Sequence, residues 1–258
     1  MVDANNTTSN GGRFSDKVAI VTGAGRGIGQ SVVERLVSEG CSVACVDVQS
    51  DLVEATADAA RQAGADAKAY VCDVGDEQTV KNTVAQVVDD FGRLDVLVNM
   101  AGILKASVSH EETLENWDRI LRVNLTGVFL MCRESIPHLL ETGGNIVNAA
   151  STASLSGHPW FAAYGASKGG VLMLSNSLAM EYAKRGLRVN CVAPGGIETD
   201  MTKIDLPEEA DIDILVRMMP IGPMGQPRSV ADAVAFLASD EADFINGEYL
   251  RVDGATLA

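Results

Sequence analysis

Short apolar runs alternate with longer amphipathic ones along nearly the whole chain, and no other feature constrains its fold as strongly. "KVAIVT" (17–22), "CSVACVD" (41–47), "AKAYVC" (67–72), "LDVLVN" (94–99), "NIVNAA" (145–150), "LRVNCVA" (187–193) and "EYLRV" (248–252) read as strands. Most are continuous and β-branched, the pattern of strands covered on both faces. Between them lie helical segments such as "GQSVVERLVSEG" and "DEQTVKNTVAQVVDDFG". The expected fold is α/β: a doubly wound parallel sheet of seven strands with helices on both faces and right-handed crossovers.

A chain of 258 residues suits one such domain and buries a core without disulfides. We expect a disordered N-terminal tail over 1–13 and a single domain over 14–258. The rhythm breaks once, between Gly195 and Arg228. There Pro207, Pro220, Pro223 and Pro227 surround "DIDILVRMM", as expected of a lid or substrate loop at about 195–228.

The net charge of −15 leaves little for phosphate counterions, so a nucleic-acid partner is not expected. The start, "MVDANNTTSNGG", has no apolar core of a signal peptide, and no run is long enough for a membrane span. The five cysteines include no CxxC pair and fall mostly in strand-like stretches, which suits buried small hydrophobes in a reducing compartment. A cytoplasmic protein without a metal is the expectation.

The first strand runs into "TGAGRGIG" (22–29) and then directly into a helix. Glycines at such a turn let backbone N–H groups approach a diphosphate at a helix N-terminus. The second strand ends at Asp47, 24 positions after Gly23. A carboxylate there accepts both ribose hydroxyls of NAD and repels the 2′-phosphate of NADP. Arg26, in the loop, reads as a helix-start residue that meets phosphate or solvent. Asp73, in "CDV", closes the third strand and could face an adenine; "NMAG" (99–102) closes the fourth.

Farther on, "YGASK" sets Tyr164 and Lys168 four positions apart, on one face of a helix. Ser151 precedes Tyr164 by thirteen positions, and Asn124 lies in the helical segment after the fourth strand. A phenol of pKa about 10 needs roughly 4 kcal/mol to ionise near neutrality. One ammonium about 4 Å away supplies about that much at an effective dielectric of about 20.

With Gly23, Gly27 and Gly29 spaced as TGxxxGxG, an NxAG stretch, and the Asn-Ser-YxxxK set in order, residues 14 to 258 resemble the short-chain dehydrogenase/reductase family. The resemblance implies a Rossmann fold and an NAD(H)-dependent oxidoreductase that interconverts a secondary alcohol and a ketone. It implies that Tyr164 is the general acid-base, that Ser151 holds the substrate oxygen, and that Lys168 binds ribose and favours the tyrosinate. Asn124 would hold a water that links Lys168 to solvent. Cofactor contacts implied in the same way are Gly23, Arg26, Gly27, Ile28 and Gly29 in the loop, then Asp47, Asp73 and Val74. Asn99, Ala101 and Gly102 follow, with Met100 departing from the family's NNAG. Tyr164 and Lys168 join them, as do Pro194, Gly195, Ile197 and Thr199 of the PG-x-x-x-T stretch. Family precedent also implies a homotetramer, with the helices carrying Asn124 and Tyr164 packed between subunits.

The substrate pocket is expected from Ser151, Ala153, Leu155, Trp160, Tyr164 and Met201, with His158 nearby, and with Lys203 and Arg217 as lid cations. Most are apolar, which suits a hydrophobic or alicyclic ketone or alcohol. A 3-oxoacyl-thioester reductase of the same family, and a catalytically silent NAD-binding protein, stand as alternative readings.

Overall fold

The structure is a computed structural model that describes residues 12–258. Most of the expected N-terminal tail therefore lies outside the described residues. Its last position does not behave as a tail: Arg13 pairs with Glu39 and Glu241, and Phe14 is fully buried.

The seven strands are β1 (Val18–Thr22), β2 (Ser42–Asp47), β3 (Ala67–Val71), β4 (Val96–Asn99), β5 (Asn145–Ala149), β6 (Arg188–Pro194) and β7 (Tyr249–Val252). They form one sheet in the order β3-β2-β1-β4-β5-β6-β7, and every pairing is parallel. Each agrees within two residues with the run that signalled it; β1, β2 and β4 are buried on both faces, which keeps polar residues to their ends.

Helices α1 (Gly27–Ser38), α2 (Ser50–Gln62) and α3 (Glu77–Phe91) cross between the first four strands. A longer helical stretch follows: α4 (Leu114–Leu121), a π-turn over Arg122–Thr126, then α5 (Gly127–Thr142). After it come α6 (Ala162–Tyr182), the short α7 (Ile212–Val216) and α8 (Pro227–Ala238). The expected helix signals hold up locally. Asp76 caps α3 by accepting from Thr79 N at 2.8 Å, and Gly92 ends it with φ of 76°.

Two apolar layers sandwich the sheet. Val32, Val33 and Leu36 of α1, Val53 of α2, and Val230 and Val234 of α8 fill one. Val80 and Val84 of α3, Met131 and Leu139 of α5, and Val171 of α6 fill the other. Burying one such side chain is worth about 1.5–3 kcal/mol, so the layers fix the sheet while its C-terminal edge is left to loops. All five cysteines are free and buried, four within these layers and Cys191 in a small cluster with Ala150, Leu172 and Ala193. No helix among the described residues is long and apolar enough to cross a membrane.

The chain reverses direction across the sheet between β1 and β4, whose ends, Thr22 and Asn99, stand in register. In open α/β sheets, ligands bind at this switch point, beyond the carboxyl ends of the strands.

Candidate active site

The glycine loop leaves β1 under tight steric control. Gly23 has φ of 66°, and a Cβ there would lie 2.8 Å from Ala101 N. A Cβ at Gly29 would lie 2.0 Å from Gly23 O. These close approaches leave the loop backbone bare at the head of α1, a cradle suited to a diphosphate. Thr22 ties this loop to the next strand end: its Oγ1 accepts from both Met100 N and Ala101 N at 3.1 Å. The sequence reading overlooked that role, although Thr22 stood inside the motif.

Asp47 closes β2 beneath the loop. Its carboxylate accepts from Gly25 N and Gln49 N, both at 3.0 Å. Each oxygen keeps a lone pair, so the group can still accept from ribose hydroxyls. Arg26 is the N-cap of α1, and its guanidinium sits 3.6 Å from Asp200 Oδ2. Asp73 accepts from Gly75 N at 2.9 Å and from Arg122 Nη1 at 3.0 Å, and here too each oxygen keeps a lone pair. Val74 turns inward: it is buried, and a Cβ on Gly127 would meet its Cγ2 at 2.8 Å. Its side chain cannot face a cofactor; only its backbone can.

Asn99 is likewise interior. Its Nδ2 donates to Asn148 Oδ1 at 2.8 Å, and Asn148 in turn donates to Ser175 Oγ at 2.9 Å. This side chain ties β4 to β5 and α6 below the site. Met100 and Gly102, on either side of Ala101, line the cavity instead. Gly102 is the close neighbour of the chemistry, since a Cβ there would be 3.4 Å from Asn124 Oδ1 and 3.7 Å from Lys168 Nζ.

Asn124 lies in the π-turn and is fully buried. π-Turns inside α-helices recur at functional sites because one extra residue re-aims a side chain. Here the re-aimed amide accepts from Ile103 N at 2.8 Å and donates to Ile103 O at 2.9 Å and to Ser167 Oγ at 3.1 Å. Its donors are fully used, so the side chain clamps the 102–103 turn beside Lys168.

Ser151 leaves β5 and caps a short turn over Thr152–Ser154, accepting from Ala153 N at 3.2 Å. α6 carries Tyr164 and Lys168. Lys168 is 4% exposed, donates to Ala149 O at 2.7 Å, and has its Nζ 5.8 Å from the Tyr164 ring centre. Burial lowers the Lys168 ammonium to about 8. Burial also raises the Tyr164 phenol, and hydrogen bonding to Ser151 pulls it part of the way back. In the protein alone, desolvation is the larger influence on the phenol, and hydrogen bonding to Ser151 opposes it.

A cavity of about 340 Å³ joins these parts. It is bordered by Ser151, Tyr164 and Lys168, by Ile28, and by Pro194, Gly195, Ile197 and Thr199. Met201 lines it as expected, and so does His158. The His158 Nδ1 faces Ser156 O at 3.0 Å and therefore carries the proton; Nε2, 3.2 Å from Thr152 Oγ1, then accepts.

Three expected pocket residues do not border the cavity. Ala153 is buried in the turn that Ser151 caps, and Leu155 packs against Leu172 and Cys191. Trp160 has φ of 65°, and its carbonyl accepts from Ser107 N at 2.9 Å. Phe161, next to it, takes the place at the cavity wall. Lys203 pairs with Asp200 at 2.8 Å, and Arg217 is exposed; neither enters the cavity. Sequence reading also missed Leu104, Leu215 and Met218. The apolar run "DIDILVRMM" held the only signal for the last two.

Comparison with known proteins accords with this geometry. A family model described as Enoyl-(Acyl carrier protein) reductase matches residues 23–255. The chain is 44% identical over 249 residues to 2-(R)-hydroxypropyl-CoM dehydrogenase of Xanthobacter autotrophicus, covering 94% of this chain and 99% of that one. It is 40% identical over 245 residues to cyclohexanol dehydrogenase of an Acinetobacter species, covering 94% and 96%. The crystal structure of carveol dehydrogenase from Mycobacterium avium, in complex with NAD, superposes with a TM-score of 0.87 at 30% identity, over 95% and 99% of the two chains. The chain belongs to the short-chain dehydrogenase/reductase family and is an oxidoreductase of that family acting on alcohol groups.

Proposed function

We propose that the protein interconverts a secondary alcohol and a ketone with NAD as cofactor, and that Tyr164, Ser151 and Lys168 manage the proton. The observation that carries this reading is one cavity bordered by a phenol, a hydroxyl and an ammonium next to a glycine cradle. The cradle passes a test of fit: glycine is required at Gly23 and Gly29 by backbone contacts of 2.8 and 2.0 Å, which leaves N–H groups bare at the head of α1. Asp47 would hold the adenosine ribose, and Lys168 the nicotinamide ribose. NAD, when bound, takes up the hydride from the carbinol carbon.

The protein's own part is the proton. Ser151 orients the substrate oxygen and, as hydrogen-bond donor, stabilises charge on it or on the phenolate. Tyr164 takes the alcohol proton in oxidation and returns it in reduction. Asn124 holds the Ile103 turn against Lys168 and Ser167, which fixes the ammonium's position. Asp47 supports NAD over NADP, and Arg26 is drawn toward Asp200 rather than toward a 2′-phosphate.

Residues 195–228 act as the substrate lid of a single domain. Exposed apolar side chains on α5 and α6, Phe129, Met173 and Met180, support a homotetramer packed through these helices. Light scattering on the purified chain tests that assembly. The activity is tested by following NADH absorbance with a panel of secondary alcohols. Turnover with NAD supports the reading, and its absence across the panel with either NAD or NADP overturns it.

A further inference from the structure

The cavity has an uneven chemistry. Its reactive hydroxyls and its ammonium gather where Ser151, Tyr164 and Lys168 meet, and among the described residues Lys168 is the only lysine or arginine that borders it. The lid contributes the apolar Ile204, Leu206, Leu215, Met218 and Met219, and its polar lining side chains, Thr199 and Thr202, are uncharged. The three cations on the lid are directed elsewhere, Lys203 to Asp200 and Arg217 and Arg228 to solvent. His158 and Thr152 satisfy one another, and the second ring nitrogen is held by Ser156 O. A substrate anion placed against this lid would thus be desolvated with no partner, which is costly. Methionine side chains, unbranched and polarizable, conform to apolar outlines of differing shape.

We propose that the substrate is an uncharged, largely apolar secondary alcohol or ketone, anchored by one oxygen, and that the lid excludes substrates bearing an anionic group. This rests on the dehydrogenase reading given above and adds the substrate class to it.

The test compares two probes with the same ring and carbinol, cyclohexanol and 3-hydroxycyclohexane-1-carboxylate. The expected kcat/KM ratio is about 100-fold in favour of the neutral probe. Leu215→Arg, which adds a cation to the lid, should reduce that ratio at least tenfold. Equal or better turnover of the carboxylate by the unaltered protein overturns the proposal while leaving the dehydrogenase reading in place. In parallel, cyclohexanone and 3-oxocyclohexane-1-carboxylate are titrated calorimetrically into the protein–NAD complex, in which a ketone cannot be reduced. Tighter binding of the neutral ketone supports the proposal, and tighter binding of the carboxylate overturns it. If neither alcohol turns over, the dehydrogenase reading loses support, and the titration still decides the matter of charge.

Discussion

The glycine loop, residues 22–29, and the lid, residues 195–228, meet where a Cβ on Gly27 would lie 3.4 Å from Thr199 Cγ2. The loop is set by close backbone approaches and one carboxylate: Gly23 against Ala101, Gly29 against Gly23, and Gly25 N on the Asp47 side chain. The lid is set otherwise. Between Asp200 and Met219 its backbone hydrogen bonds join residues three or four apart, and its helix α7 has five residues. Ile212 and Val216 on that helix are more than 60% exposed. The difference teaches where each kind of specificity resides. Recognition of a constant cofactor is built from backbone that tolerates no side chain, whereas recognition of the substrate is built from side chains on a segment with few ties to the rest.

Substitutions in the two regions should therefore fail in different ways. The largest effect is expected at Gly29→Ala, whose methyl would have to displace backbone. NADH binding, read by fluorescence titration, should weaken at least about 100-fold, or the protein should lose about 1–3 kcal/mol of stability in chemical unfolding. A variant with unchanged binding and stability would show that the cradle is not needed.

Ser151→Ala comes next, with an expected loss of about 100-fold in kcat. Its pH profile gives a sharper reading. Oxidation needs the phenol deprotonated; burial raises its pKa and the bond to Ser151 lowers it. Without that bond the pKa goes higher still, so the rising limb of kcat/KM for oxidation should move to higher pH. A limb that stays in place would mean that Ser151 only positions the substrate.

Asp47→Ser removes the charge that opposes a 2′-phosphate, and should raise the NADP to NAD ratio of kcat/KM by about 30-fold. The smallest effect is expected in the lid. Met218→Ala should raise KM for an apolar alcohol by roughly fivefold, with kcat within twofold. If kcat falls instead and KM holds, the lid belongs to the chemical step, and the contrast between the two regions fails.

The same contrast explains what could be read from the sequence. Strand boundaries were legible because a strand buried on both faces has no polar interruption, as in "KVAIVT" and "LDVLVN". Gly23, Gly29, Asp47, Ser151, Tyr164 and Lys168 were legible because motif spacing fixes backbone position at strand ends and along one helix. Side-chain direction just beyond a strand was not. Val74 turns to the core, and nothing in "CDV" decides between that direction and the cofactor. Phe161 rather than Trp160 borders the cavity, next to a positive φ at Trp160, a local backbone choice with no glycine to signal it. Lid residues such as Leu215 and Met218 reach the cavity through irregular backbone, where no period connects sequence position to direction.

Tyr164→Phe tests the central claim most directly, since it removes one oxygen and leaves the ring, the lid and the cradle alone. Turnover should fall by about 1000-fold or more, measured as NADH formed from a secondary alcohol that the unaltered protein oxidises. NADH binding, measured by fluorescence titration of the same sample, should stay within about threefold, because the phenol oxygen contributes little to a site formed by Asp47, Lys168 and the loop. Turnover retained above a tenth of the original would contradict the account, and another group would have to move the proton.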